Sequence, residues 1–432
     1  MANHNAKHEQ TRLENILDFC VDLSRRMVVS GANLERVSLA VDRICHAYGL
    51  HDVSLYLLSS YISLSARDET GKYATRQGSI PPSSIHLEQL KKLNRLSFAV
   101  AEQTPGAGRL KKMLSEATAV KGYPDWLVLL AQIAAMCCLC LIFGGRVPDL
   151  PPVAIVTVLM HYLMRILEKP GLDKVVINAV TMGLAAAAAI LLGRIGIGRN
   201  TAVILITLSM LVIPGIPLVN AVRNLLCGNE MNGILQVAKV TVETMALAFG
   251  LYGAIWALGM QVETGDVVVA TLTHPVLLVA LSFLASVSFG LVFRIQPRDL
   301  WLAGLGGALT RIVLLTLTPL TSYRLLYVGL SALFAALYGE VLASRRKDPS
   351  TYFVYPSIVP LIPGDLFYYT LVGLYFEDRA MMEGSAFQCF QALLGMSIGF
   401  VMSYVIAHYI RKGRHLRLVR GIHPSEVSSD SN

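Results

Sequence analysis

The stretch "LVIPGIPLVNAVRNLLCGNEMNG" (residues 211–233) places helix-breaking residues inside an apolar run long enough to cross a bilayer. Proline removes a backbone donor and clashes with the preceding helical turn, and glycine lets the chain change direction. Pro214, Gly215 and Pro217 therefore predict a broken transmembrane helix. Lipid cannot satisfy the backbone groups that such a break exposes, so the break must face protein or a bound solute. Asn220 and Arg223 follow it at once.

A second break occurs further along the chain. The stretch "LIPGDLFYYTLVGLYFEDRAMMEG" (361–384) repeats the "IPG" motif at Pro363 and Gly364, followed by Asp365. Both motifs fall in the fourth helix of a predicted set of five. Five helices followed by five more, with matching landmarks, indicate an internal duplication. Because five is odd, the second set must cross the membrane in the opposite sense, as in many secondary transporters.

Composition predicts a membrane protein. Hydrophobic side chains make up 54% of the 432 residues, charged ones 15%, and the mean hydropathy is +0.54. This leaves too little polar surface for a soluble globule. The net charge of +8 comes from Lys and Arg grouped between apolar runs, which indicates membrane orientation rather than a nucleic-acid partner. The seven cysteines are scattered without metal-ligand spacing, so we expect no metal and no cofactor.

Apolar runs predict about ten transmembrane helices in a cell (inner or plasma) membrane. They lie at residues 126–143, 151–167, 175–193, 201–222, 234–258, 270–293, 300–319, 324–343, 352–374 and 386–410. With both termini in the cytoplasm, the inner loops carry Arg165, Lys169, Lys174, Arg294, Arg298, Arg345, Arg346 and Lys347, and the outer loops carry Glu263, Asp266, Glu377, Asp378 and Glu383. This distribution follows the positive-inside rule, and only Arg194 and Arg199 depart from it.

The chain before the first span predicts a small soluble α/β domain. Asn33 can cap a helix over 34–48, residues 53–66 are rich in β-formers and can pair with 72–78 as a hairpin, and a helix is expected at 86–102. The predicted fold is thus a mostly α polytopic membrane protein with two inverted five-helix repeats and an α/β N-terminal domain. The expected boundaries are 1–122, 123–260, 261–410 and a basic cytoplasmic tail, 411–432.

Ionisable residues inside the spans are candidates for coupling. A charge in the bilayer costs at least about 2.5 kcal/mol on insertion scales. Asp365 or Glu243 could take up and release a proton, while Arg223 or Arg311 pairs with a carboxylate and Arg311 is the possible charge partner. Alternatively, Asp365 caps the following half-helix, Glu243 and Arg311 only pair within the bundle, and Arg223 marks the cytoplasmic end of its span.

Together these features predict a secondary active transporter and not an enzyme. Pro217 can begin a half-helix whose positive end attracts an anionic group of a small-molecule substrate. The predicted substrate-binding residues are Pro214, Gly215, Pro217, Asn220, Arg223, Pro363, Gly364 and Asp365. A membrane-bound hydrolase using His51, Asp52 and Ser54 is the rival class, but the chain has no "GxSxG" motif. The sequence leaves open whether the protein forms a homo-oligomer.

Four stretches resemble the threonine/serine exporter family: "SGANLERVSLAVDRICHAYG" (30–49), "TRQGSIPPSSIHLEQLKKLNRL" (75–96), "IPGIPLVNAVRNLLCGNEMNG" (213–233) and "PLIPGD" (360–365). The resemblance covers residues 25–410 and implies efflux of threonine and serine by proton exchange. Related split-subunit transporters are associated with dicarboxylates, so succinate is an alternative substrate. Asn224 and Asn229 stand where the family usually has aspartates. We expect a regulatory or scaffolding N-terminal domain whose Arg36 helix packs on the cytoplasmic side of the bundle.

Overall fold

A computed structural model describes residues 2–81, 84–120, 122–168, 172–259, 274–346 and 348–421. The chain begins with seven elements that we call the N-terminal domain. They are α1 (Ala2–Val29), α2 (Leu34–Ala47), β1 (His51–Leu57), β2 (Tyr61–Arg67), β3 (Tyr73–Ser79), α3 (Leu87–Gln103) and α4 (Ala107–Thr118). The buried faces of the helices and of β2 form one hydrophobic core.

Helix α2 forms as its sequence predicts. The Asn33 side chain accepts a hydrogen bond of 3.1 Å from the Arg36 backbone N–H, which satisfies one of the free donors at the helix start. Val37, Val41 and Ile44 recur at helical spacing and are fully buried. The cap and the apolar stripe together fix where α2 begins and which side faces the domain core.

The predicted hairpin is wrong in one respect, because the sheet has three strands. Residues 53–66 do not form one strand: the chain turns at Ser59 and Ser60, where the Leu58 N–H donates to the Tyr61 carbonyl at 2.8 Å. The strands β1, β2 and β3 then pair antiparallel in chain order. Small polar residues such as Ser59 and Ser60 favour turns. The turn was not predicted because β-forming residues continue on both sides of this pair.

The remaining helices follow the predicted order of spans. They are α5 (Asp125–Ile142), α6 (Leu150–Leu167), α7 (Lys174–Arg194), α8 (Thr201–Ser209), α9 (Gly215–Leu226), α10 (Glu230–Ala257), α11 (Pro275–Val292), α12 (Leu300–Leu317), α13 (Arg324–Arg346), α14 (Thr351–Ile358), α15 (Gly364–Tyr375) and α16 (Arg379–Gly421). We call α5–α10 the first module and α11–α16 the second. Among the described residues, eight helices are long and apolar enough to cross a membrane, or nine with α14 and α15 as one bent span. The chain is therefore a multi-pass membrane protein.

Two predicted spans, 201–222 and 352–374, are each a pair of short helices. The first comprises α8 and α9, and the second comprises α14 and α15. Helix α16 continues beyond residue 410 to Gly421. Four loop residues used in the charge prediction, Lys169, Glu263, Asp266 and Lys347, lie outside the described residues, as do residues 422–432 of the predicted tail.

Equivalent helices pack alike in the two modules. In the first, α7 contacts α10 so closely that a Cβ on Gly250 would overlap the Ala179 carbonyl. In the second, α13 contacts α16, and a Cβ on Gly399 would lie 2.5 Å from the Gly329 carbonyl oxygen. The paired positions are offset by 149 and 150 residues. Small residues at the same depth therefore let both helix pairs approach backbone to backbone.

A buried charge cluster joins the N-terminal domain to the second module. Lys91 of α3 is 2% exposed, and its Nζ lies 2.8 Å from Asp299 Oδ2 and 3.0 Å from Asp348 Oδ2. Arg346 also pairs with Asp299 at 2.6 Å, and Arg95 with Asp348 at 2.9 Å. Removing one partner from such a cluster would leave a buried charge uncompensated. We call these five residues the docking cluster.

The domain touches the first module more lightly. At the β1–β2 turn, the Ser59 N–H donates to Asn232 Oδ1 at 3.0 Å, and Asn232 Nδ2 donates to the Leu57 carbonyl at 2.8 Å.

The expected packing of the Arg36 helix on the bundle is confirmed, since Arg36 donates to Ser350 Oγ of the second module at 3.0 Å. The N-terminal domain thus bridges both modules, and cavities remain beneath it.

Candidate functional site

The two helix breaks have the same backbone geometry. Pro214 has φ −78° and ψ 61°, and Pro363 has φ −80° and ψ 58°. In each, the N–H of the following glycine donates to the carbonyl of the residue before the proline, at 2.8 Å in both cases. Each proline is therefore the centre of an inverse γ-turn, after which a new helix starts at Gly215 or Gly364. The duplicated motif produces a duplicated turn.

The two breaks lie against each other in the bundle. A Cβ on Gly215 would lie 2.7 Å from Ile362 Cγ2, and a Cβ on Gly364 would overlap the end of the Met210 side chain. Each glycine thus meets a residue of the opposite break: a side chain at position 215 would press on the branched Ile362, whereas one at position 364 would displace the flexible end of Met210. Neither break is left facing lipid alone.

Arg311 supports the second break through two hydrogen bonds. Its Nε donates to Ser282 Oγ at 2.9 Å, and its NH2 donates to the Pro360 carbonyl at 3.2 Å. A broken helix leaves carbonyl groups without intrahelical donors, and the guanidinium satisfies one of them. Within the described residues no carboxylate lies within 4.0 Å of Arg311. Asp365, beyond direct contact, is still close enough to attract the Arg311 guanidinium electrostatically, so the role of Arg311 as a charge partner stays a prediction.

A cavity of about 380 Å³ lies beside the first break, between the N-terminal domain and the first module. The domain contributes the α1–α2 and β1–β2 turns, and the first module contributes α9 and α10. Pro217, Asn220, Arg223 and Glu243, four of the predicted residues, line it. The volume is within the roughly 300–1,000 Å³ of typical small-molecule sites. We call this space the larger cavity.

Glu243 is the acidic residue of the larger cavity. It is 4% exposed and lies near the middle of α10. In the described part of the chain its carboxylate has neither a hydrogen-bond donor nor an ion-pair partner. A buried carboxylate without a partner is costly, and an ionisable group of this kind in a span is a functional candidate. The structural alternative, that Glu243 only pairs within the bundle, finds no partner there.

Asn220 and Arg223 connect three parts of the molecule. Asn220 Nδ2 donates to the Tyr355 hydroxyl at 3.1 Å, and that hydroxyl donates to the Gly31 carbonyl at 3.3 Å. Arg223 NH2 lies 3.9 Å from Glu35 Oε2 of α2. Helix α9 of the first module thus contacts the second module and the N-terminal domain through side chains that also line the cavity.

The remaining predicted residues lie elsewhere. Pro214, Gly215, Pro363 and Gly364 form the touching turns and do not line the larger cavity. Asp365 lies in the first turn of α15, where the helix dipole favours a carboxylate. Its position fits the capping alternative, and the structure does not bring it into the cavity with Glu243. The predicted site is therefore divided between a cavity and a pair of supporting turns.

Several residues that line the larger cavity were not predicted from the sequence. Tyr355 lies in an apolar stretch before the second break, and its hydroxyl group alone did not distinguish it as a functional residue. Lys174 appears in the sequence as a charge at the start of a span, and Lys239 lies inside the predicted span 234–258 but was not singled out, yet both line the larger cavity. Asn224 Nδ2 donates to Gln236 Oε1 at 3.0 Å on the cavity wall. Its amide makes this bond without adding a charge to the cavity wall.

The residues that suggested a hydrolase do not form a catalytic arrangement. Asp52 pairs with Arg67 at 2.9 Å on the surface, with both side chains about half exposed. His51 is paired across the sheet with the same Arg67 backbone position. Neither His51 nor Asp52 lines the larger cavity.

Comparisons with known proteins agree with the arrangement of modules. A family model described as a threonine/serine exporter matches residues 18–258, and a second, described as "Threonine/Serine exporter, ThrE", matches residues 278–406. A protein of Escherichia coli K12 named "Probable succinate transporter subunit YjjP" is 22% identical over 243 residues, 56% of this chain and 94% of that relative. Its namesake from Klebsiella aerogenes is 21% identical over 56% of this chain and 93% of its own. No solved structure matches. The chain, with its N-terminal domain and two membrane modules, therefore belongs to the threonine/serine exporter family.

Proposed function

We propose that this protein is a secondary active transporter that exports threonine and serine in exchange for protons. The observation that carries the proposal is the larger cavity, where an unpartnered buried Glu243 faces polar residues that follow a broken helix. A cavity lined by the first break can hold a small solute in contact with Asn220 and Arg223. Glu243 can bind a proton when the solute leaves and release it when the solute returns.

The inverted arrangement of the modules is part of this proposal. Tyr123, just before α5, donates to the Ile295 carbonyl, just after α11. The start of α5 thus lies beside the end of α11, its equivalent, and the two helices pack along each other. Equivalent helices that run in opposite directions support inverted repeats, which suit alternating access around a central site.

Cytoplasmic termini are also proposed. The N-terminal domain contacts the ends of α9 and α11 and the start of α10, through Glu35 with Arg223, Leu87 with Phe293, and Ser59 with Asn232. The charge pattern of the sequence assigns all three of these helix ends to the cytoplasmic side. We place the domain limits at residues 122, 260 and 410, and the membrane as the inner or plasma membrane.

Succinate is a second candidate substrate, for a specific reason. The larger cavity is lined by three basic residues, Lys174, Arg223 and Lys239, against the single acid Glu243. An excess of positive charge favours a dianion over a zwitterion. The name of the two relatives points to the same class of solute. Proton exchange and the role of Glu243 are unchanged in this version.

Counterflow in proteoliposomes tests both versions. Proteoliposomes that contain the purified protein are loaded with unlabelled threonine, serine or succinate. Uptake of the labelled solute is then measured with and without a pH gradient. We expect saturable exchange of at least one solute, accelerated by the gradient. Absence of exchange for all three would refute the proposal, and exchange of succinate alone would favour the dicarboxylate.

Variants of two glutamates on α10 sharpen the test. In Glu243→Gln we expect solute counterflow to continue while the effect of the pH gradient disappears, because the amide cannot carry the proton. Glu230→Gln, at the exposed start of the same helix, should behave as wild type. Undiminished pH dependence in Glu243→Gln would remove Glu243 from the coupling mechanism.

A further inference from the structure

A second, smaller cavity lies under the other side of the N-terminal domain. Its volume is about 170 Å³, and it is enclosed by α2 and α3 of the domain together with α9, α13, α14 and α16. Three arginines and two glutamates line it: Arg36, Arg43, Arg223, Glu35 and Glu340. Arg223 lines the larger cavity as well, so Arg36 and Arg43 are the arginines that line this cavity alone, and the preference for an anionic ligand depends on how these side chains are held.

Arg43 is held in place on this cavity wall. Its guanidinium carbon lies 3.6 Å from the centre of the Phe98 ring, and NH1 donates to Ser97 Oγ at 2.9 Å. Within the described residues that hydroxyl is its one protein acceptor. An arginine stacked on an aromatic ring is preorganised, and its remaining N–H groups form a fork that fits a carboxylate.

Two hydroxyl groups of the same cavity are unsatisfied. Thr351 and Ser403, 4% and 1% exposed, line the cavity from α14 and α16. In the described part of the chain, Thr351 Oγ1 and Ser403 Oγ are buried without a hydrogen-bond partner. Buried polar atoms in folded proteins are almost always bonded, so each unbonded one calls for an explanation. A polar ligand in the cavity supplies one, and this observation does not depend on Arg43.

The smaller cavity shares Asn33, Asn220, Arg223 and Tyr355 with the larger one but differs from it in its other lining residues. The Tyr355 hydroxyl, bonded to Asn220 and Gly31, stands between them and borders both. Arg43 lines only the smaller cavity, and Glu243 lines only the larger. A volume well below the roughly 300 Å³ of common small-molecule sites restricts the ligand to a few heavy atoms.

We propose that the smaller cavity is a regulatory binding site for a small carboxylate, with Arg43 as its principal anchor. The ligand contacts the N-terminal domain and both modules at once, so it binds the docked state and stabilises it at the expense of the undocked one. The site responds to carboxylate concentration on the face of the membrane where the domain lies. This proposal does not depend on which solute passes through the larger cavity.

Ligand-dependent stability of the full chain tests this site. Purified protein in lipid nanodiscs is titrated with succinate, and with uncharged succinamide for comparison, while the midpoint of thermal unfolding is followed. We expect succinate, but not succinamide, to raise the midpoint saturably. In Arg43→Gln the apparent Kd for succinate should rise at least tenfold, with the ligand-free midpoint close to wild type. Arg25→Gln, on the exposed side of α1, is the matched control and should keep wild-type affinity.

The outcomes separate this site from the transport site. Equal succinate affinity in Arg43→Gln and wild type, or no carboxylate-dependent shift in wild type, would overturn the proposal. If Arg43→Gln does not fold, Phe98→Leu removes the stacking surface with the charge kept and should weaken succinate binding several-fold. If no solute shows counterflow but succinate still raises the unfolding midpoint in an Arg43-dependent way, the transport function is refuted and this site is supported.

Discussion

Replacing Lys91 by methionine should release the N-terminal domain from the second module. The substitution keeps the length of the side chain but removes the ammonium that lies 2.8 Å from Asp299 and 3.0 Å from Asp348. Both carboxylates would then stay fully buried with one cation fewer. Breaking a buried ion pair from one side costs about 3–5 kcal/mol. We expect the lower end, about 3 kcal/mol, because Arg346 and Arg95 still pair with one carboxylate each.

At about 1.4 kcal/mol per factor of ten, this loss corresponds to roughly a hundredfold increase in the undocked population. Native-state hydrogen exchange of the α3 amides in full-length protein measures that population directly. Lys92→Met is the matched control. Lys92 is 38% exposed and, among the described residues, pairs only with Glu88 at 3.9 Å, so its loss should cost no more than about 0.5 kcal/mol. Equal exchange in the two variants would refute the assignment of docking to the buried cluster.

Three further predictions concern separate parts of the molecule. Asp365→Asn should leave proton-driven flux in proteoliposomes close to the wild-type level, because Asn can also fill the helix-cap role that this position fits; loss of the flux in a variant that stays folded by circular dichroism would make Asp365 a coupling residue beside Glu243. Gly250→Ala should lower stability by about 1–3 kcal/mol because the new methyl group meets the Ala179 carbonyl, whereas Gly253→Ala, with open space around it, should be neutral or stabilising in thermal unfolding. Burial, aided by nearby positive charge, lowers the pKa of His86 from 6.5 to about 4. The unfolded chain therefore takes up a proton first as pH falls, so stability should be lost between pH 6.5 and about 4; His86→Asn, which keeps a capping side chain, should flatten this dependence, and an unchanged pH profile would contradict it.

Local patterns accounted for much of the fold. The Asn33 cap and the apolar spacing of α2 are properties of neighbouring residues, and so are the "IPG" motifs that become inverse γ-turns at Pro214 and Pro363. The length of each apolar run likewise set the order of the spans. The turn at Ser59 was missed because β-forming residues continue on both sides of it, and pairing between strands decided the break.

The composition of the site depended on contacts between distant parts of the chain. Glu243, Asn220 and Arg223 could be predicted because a charge or amide in an apolar span is conspicuous. Tyr355 could not, since its importance comes from bonds to Asn220 and to Gly31, 135 and 324 residues away. Nor could the sequence reveal that the N-terminal domain forms one wall of the larger cavity, because domain docking leaves no periodic pattern.

The docking cluster also has a consequence for how the protein is made. Arg95 and its partner Asp348 are 253 residues apart, with the whole first module between them. At a synthesis rate of about 5–20 residues per second, the N-terminal domain emerges on the order of 10 to 50 s before its binding surface exists. During that interval Lys91 and the apolar face around it lack their partner, so this surface is open to aggregation or to binding by chaperones, and slower elongation lengthens the exposure. Completion of α14, not of the N-terminal domain itself, is then the event that ends the exposed state.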